Sequence, residues 1–152
     1  MTQTQTASGL KLLARDAEDL DVVSANLQDA LVLVGDMAYL PRSKQFAFLA
    51  CRFDWEKAAA GALERCRAGL AFEAVEQVFL SGFSRADKGR ILNLLRVGFT
   101  EAADGGGLVE LVFSGGCGLR LKVSRLEARL ADRGERWSAR ARPGHACLDA
   151  EG

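Results

Sequence analysis

From Leu10 onward the chain moves between short apolar runs and stretches with a helical period. Leu10 to Ala14 is short and mostly apolar, the pattern of an opening strand. Asp16 then stands as an N-cap, with Glu18 and Asp19 in the first turn, where carboxylates meet the positive end of the helix dipole. Leu20, Val23, Leu27 and Ala30 follow at helical spacing, which predicts an amphipathic helix over 17–29. Leu31 to Leu40 and Gln45 to Trp55 are β-rich runs linked by Pro41-Arg42-Ser43-Lys44, and read as a hairpin. The second run carries Phe46, Phe48, Leu49, Cys51 and Phe53, so both of its faces are partly apolar and it is expected to be buried on both sides. Lys57 to Leu63 is rich in alanine, but Gly61 weakens a helix there, and the segment reads as a loop.

Cys66, Ala68, Leu70 and Phe72 then alternate with Arg67, Gly69, Ala71 and Glu73, a strand. At Ala74-Val75 the alternation slips by one, which predicts a β-bulge or a strand break. Residues 84–95 fit two patterns: Ile91, Leu94 and Leu95 suit a helix, while Leu95, Val97 and Phe99 suit a strand. We read a short turn near 85–89 and a strand over 91–100. Asp104-Gly105-Gly106-Gly107 breaks the chain, Leu108 to Phe113 is a dense apolar strand, and Gly115 to Gly118 turns it back. Leu119, Leu121 and Val123 alternate with Arg120, Lys122 and Ser124, a half-buried strand. Ser124 and Glu127 then form an S-x-x-E capping box, which predicts a final helix with Leu126 and Leu130 on its apolar seam and Gly134 at its end. Trp137 is expected to fold back onto the core.

Together these elements make an α+β domain. It has about seven mostly antiparallel strands in a curved sheet or partly open barrel, one helix near the N-terminus and one after the last strand. By element order alone, the ending of hairpin and packed helix is like a pleckstrin-homology barrel. The domain spans 10–142, between a disordered tail over 1–9 and a polar tail over 143–152 that opens at Pro143-Gly144.

Composition narrows the function more than it defines it. A chain of 152 residues, 49% hydrophobic, can build a core without a metal or disulfides. Its 20 basic and 20 acidic residues leave no net charge, which argues against a nucleic-acid binder. No apolar run is long enough for a membrane span, and Met1 to Ser8 lack the basic and apolar regions of a signal peptide. Cys51, Cys66, Cys117 and Cys147 are irregularly spaced with no C-x-x-C, which points to free thiols in a cytoplasm. With His145 the only histidine, neither a metal site nor histidine acid–base chemistry is expected. His145 and Cys147 lie two apart in a Pro/Gly-marked tail, and side chains so spaced rarely form a working dyad, which needs a shaped pocket around it. Neither glycine-rich segment matches a phosphate loop, and no cofactor and no catalytic residue is expected.

Two polar patterns remain. Arg52 and Asp54 lie two apart and would share one face of a strand, either as a local ion pair or as an anion-binding arginine held by a carboxylate, with Asp36 as a further acid. The late region carries Arg125, Arg129, Arg133, Arg136 and Arg140 at steps of three and four, a stripe on a continuous helix, while the early region holds Asp16, Glu18, Asp19, Asp21, Asp29 and Asp36. That stripe is either a solvated face or a surface for an acidic partner: nucleic acid, a protein, or another copy of this chain.

Leu10-Lys11-Leu12 through Asp16-Ala17-Glu18-Asp19-Leu20, Leu27-Gln28-Asp29-Ala30, Gly35-Asp36-Met37-Ala38-Tyr39-Leu40-Pro41, Arg52-Phe53-Asp54-Trp55-Glu56, Val109 to Phe113 and Leu126 to Asp132 together resemble the bacterial family called domain of unknown function 2948. The resemblance covers about 10–142. It implies a bacterial, cytoplasmic, single-domain protein and carries over no catalytic or binding residue. Two functions stay open. The preferred one is a non-enzymatic binding or assembly module with a protein partner or a homo-oligomer, for which Arg52, Asp54, Arg136 and Arg140 are the candidate binding residues. The other is a small enzyme or ligand-binding protein with a carboxylate–arginine site at Asp36, Arg52 and Asp54.

Overall fold

The computed structural model describes residues 10–53 and 64–138. Its first elements follow the apolar pattern closely. Strand β1 is Lys11–Ala14 and helix α1 is Ala17–Leu27. The Asp16 carboxylate accepts the Asp19 backbone N–H at 2.8 Å, the capping bond that the sequence predicts. The helix stops sooner than expected because Gln28 is already extended and Asp29 takes a positive φ of 64°. Asp29 then donates its N–H to the Leu94 carbonyl, which locks the chain onto the sheet.

The expected first strand of the hairpin is broken in two. Strand β2 is Ala30–Leu33, a single 3-10 turn covers Val34–Asp36, and β3 is Ala38–Leu40. Both pieces pair with the same partner, β4 at Gln45–Phe53. The other strands are β5 at Glu64–Phe72, β6 at Val75–Ser81, β7 at Ile91–Glu101, β8 at Gly107–Phe113, β9 at Gly118–Val123 and β10 at Ala128–Ser138. The ambiguous segment before β7 is a turn, closed by Asp87 N–H to Ser84 O and Arg90 N–H to Asp87 O, each 3.0 Å.

The ten strands of the described residues belong to one antiparallel sheet in the order β1-β10-β5-β4-β2-β7-β8-β9-β6, with β3 beside β4. The end strands β1 and β6 do not pair, so the sheet is not closed. It is nevertheless strongly folded on itself. The β5·β10 ladder runs on into the β6·β9 ladder, joined by Glu73 N–H to Glu127 O and Ser124 N–H to Ala74 O. The slip of alternation at Ala74-Val75 marks this bend: Ala74 has a φ of 58°, and the opposite strand shifts register between Lys122 and Val123. The splits between β2 and β3 and between β5 and β6, together with β10 in place of an expected helix, raise the strand count above the expected seven.

The final helix is the clear failure of the sequence reading. Residues 128–138 form β10, the strand that joins β1 to β5. The capping-box pattern at Ser124 and Glu127 is real, but so is a period of two: Leu126, Ala128 and Leu130 are buried while Arg125 and Arg129 are exposed. Ladders on both sides outweigh one cap. With that helix gone, the element order no longer matches a pleckstrin-homology barrel, and no such fold is assigned.

The core lies on one face of the folded sheet. Even-numbered positions on β4, β5 and β10 point into it, namely Phe46, Phe48 and Ala50, Ala68, Leu70 and Phe72, and Ala128 and Leu130. Helix α1 covers the same face through Leu20, Val23 and Leu27, against β7, β1 and β4. The odd-numbered positions of β4, β5 and β10 consequently face away from this core and from the helix, and there Cys51 is itself fully buried against Leu31 and Leu33 in a small second cluster.

Candidate functional site

Arg52 stands at an even position near the end of β4, so its side chain enters the core. It is only 2% exposed. Its partner is Asp132 on β10, whose side chain is 5% exposed. Arg52 Nε donates to Asp132 Oδ1 at 2.7 Å and Nη2 to Oδ2 at 2.6 Å, a two-pronged contact that fits the planar guanidinium to the carboxylate. Nη1 donates to the Phe53 carbonyl at 2.9 Å. Asp132 Oδ2 also accepts the Leu10 backbone N–H, and the Asp132 N–H returns to the Leu10 carbonyl, both at 2.9 Å. The pair therefore ties the residue before β1 to β10 and β4.

This placement changes the expected carboxylate–arginine cluster. The sequence pairs Arg52 with Asp54, its near neighbour. The structure gives Arg52 a carboxylate 80 residues away, and Asp54 lies outside the described residues. Asp36, in the 3-10 turn, lines a groove on the outer side of the sheet, whereas Arg52 points into the core. Asp132 went unnoticed as a partner because in a helix it is one surface acid among several. As part of a strand that alternates Ala128, Leu130 and Asp132 toward the core, it is a buried charge that demands a cation.

The outer groove is built by register. Across neighbouring strands, Ala38 faces Ala47, Ala47 faces Ala71, and Ala71 faces Arg129. One row on, Leu49 faces Gly69 and Gly69 faces Ala131. In the next row, Cys51 faces Arg67 and Arg67 faces Arg133. Small side chains on four strands leave a trough of about 440 Å³, with Arg129 and Arg133 along one side and Asp36 on the other. Arg133 lies across β5 at its glycine: a Cβ on Gly69 would come within 3.3 Å of Arg133 Nε. Among the described residues Arg133 has no carboxylate partner.

Of the expected arginine stripe, two members stand together on a strand and not on a helix. Arg129 and Arg133 share the outer face because both stand at odd positions of β10, not because of a helical period, and Arg125 is exposed in the bend before that strand. Arg136 faces Cys66 in the backbone register, just beyond a bulge after Arg133, and Arg140 lies outside the described residues. Glu127 sits among these arginines, 2.9 Å from Arg129 and 3.5 Å from Arg125. The hydrogen bond from Arg129 is the main cause that holds the Glu127 carboxyl below its ordinary value of 4.5. A depressed carboxyl stabilises the fold above that value and loses its contribution as pH falls through its folded value. The stability difference between wild type and Glu127→Gln is accordingly expected to be constant near neutrality and to vanish on acidification below about 4.5, as read by urea midpoints across pH.

Other chemistry is sparse. Cys51, Cys66 and Cys117 are buried free thiols, and Cys117 Sγ lies 3.3 Å from Arg90 Nη2. Among the described residues no three His, Cys, Asp or Glu side chains gather as metal ligands. No helix among them is long and apolar enough to cross a membrane.

A family model described as "Protein of unknown function (DUF2948)" matches residues 10–145. The chain belongs to that family. The DUF2948 match runs from the residue before β1 to beyond the end of β10, so the Arg52–Asp132 pair and the outer trough both lie inside it. No curated protein matches the chain, and no solved structure does.

Proposed function

We propose that this DUF2948 protein is a non-enzymatic binding or assembly module, and that the outer trough of β3, β4, β5 and β10 is its docking surface. The observation that carries the reading is Arg133, an exposed arginine with no carboxylate partner among the described residues, laid across Gly69 beside a floor of alanines. Small floor residues allow close backbone approach, and the arginines favour a partner that presents carboxylates. Arg52 supports the same choice from the other side. Its bonds to Asp132 and Phe53 are made inside the core, which weighs against a ligand-binding arginine there. The three buried thiols suit a reducing cytoplasm.

The test is gentle affinity purification from the native host, with intact-complex mass spectrometry on wild type and Arg133→Glu. A stoichiometric second component with wild type, lost from a variant with an unchanged circular dichroism spectrum, is the expected result. A component retained in full by Arg133→Glu overturns the trough as the docking surface, and a bare monomer from both overturns a stable partner there.

A further inference from the structure

Helix α1 shows its acidic side to solvent. Glu18, Asp21, Val22 and Ala25 are exposed at spacings of three and four, one stripe opposite the buried Leu20, Val23 and Leu27. Val22 is 51% exposed, and the helix has no basic residue in its last turn. Neither Glu18 nor Asp21 has a cationic partner among the described residues. The stripe therefore carries its two carboxylates in the N-terminal half of the helix with Val22 and Ala25 after them, and the trough has Arg129 and Arg133 along one side, Asp36 on the other and small apolar groups on its floor. Lys11, opposite Ala131 in the register, adds a further exposed cation beside it.

Size agrees with charge. The 11 residues of α1 make a rod about 16 Å long. Four neighbouring strands put three gaps of about 4.8 Å, or about 14 Å, across the trough. The two surfaces cannot meet within one molecule, because α1 packs on the core face and the trough lies on the face turned away.

We propose that α1 of a second copy of this chain occupies the trough. The inference rests on the binding-module reading and names its partner. The contact is heterologous, with a helix from one copy and a sheet face from the next, so it propagates into a ring or a filament instead of stopping at a symmetric dimer. It is small compared with a standard interface of about 1,600 Å² and rich in charge, so association is weak, rises with concentration and is suppressed by salt.

The test is sedimentation velocity on the full chain at low salt, up to about 1 mM, where even weak contacts populate. Wild type is expected to grow past dimer with concentration. A helix-blocked variant, Glu18→Lys with Asp21→Lys, and a trough-filled variant, Ala71→Trp, are each expected to remain monomeric. Mixed one to one, they form a dimer and nothing larger, because only one intact helix meets one intact trough. Arg133→Gln, which leaves the floor unfilled, weakens wild-type association several-fold and serves if Ala71→Trp does not fold. A wild type that stays monomeric throughout, a dimer indifferent to these substitutions, or a mixture that stays monomeric overturns the self-docking. Loss of a host partner on Arg133→Glu would still stand for the docking surface, so the two readings fail separately.

Discussion

Replacing Asp132 by Asn is expected to cost the fold about 3–5 kcal/mol, the usual penalty for removing one member of a buried ion pair. The magnitude follows from what is left behind. Arg52 remains 2% exposed and loses the carboxylate charge that it holds at 2.6 and 2.7 Å. Asp132 also accepts the Leu10 N–H, so the substitution disturbs the edge where β1 joins β10. Arg52→Met is expected to cost a similar amount, because it strands the carboxylate instead. The double replacement, Arg52→Met with Asp132→Leu, is expected to recover most of the loss, since no buried charge is then left to lose its partner. Urea denaturation of the four proteins measures this cycle. A double variant as unstable as the sum of the singles would show that the pair is not the source of the penalty. The cycle also separates structure from ligand binding: an arginine kept for an anion would lose that ligand in the stable double variant.

Phe72→Ala is the second large expected loss, about 3–5 kcal/mol. Phe72 is 0% exposed and faces Phe46 on β4 and Ala128 on β10. It is the last residue of β5 before the bend at Glu73-Ala74, where the β5·β10 ladder passes into β6·β9. A cavity there cannot be filled by simple collapse, since three strands and the bend fix the backbone around it. Phe79 supplies the contrast. It is 48% exposed on the outer side of β6, and Phe79→Ala should move stability by no more than about 0.5 kcal/mol. Urea midpoints of the two variants decide the matter, and equal shifts would mean that the packing does not depend on the bend.

Local patterns along the chain determined a good part of this architecture. Asp16 with Leu20, Val23 and Leu27 specified α1, because a cap and a helical period act within a few residues. The alternation of Cys66 to Phe72 and of Leu119 to Val123 specified two strands and their core faces, and the slip at Ala74-Val75 located the bend. Family membership, too, was legible in the residues themselves.

Tertiary structure alone decided the rest. Residues 124–138 carry a cap signal for a helix and an alternation for a strand, and only the presence of β1 and β5 on either side selects the strand. That choice in turn made Asp132 a buried partner instead of a surface acid, and set Arg129 and Arg133 on one face with Ala38, Ala47, Gly69 and Ala71. The physical reason is range. Caps and periods are energies between near neighbours, whereas the Arg52–Asp132 pair and the rows of the trough depend on strand order and register, which join residues tens of positions apart.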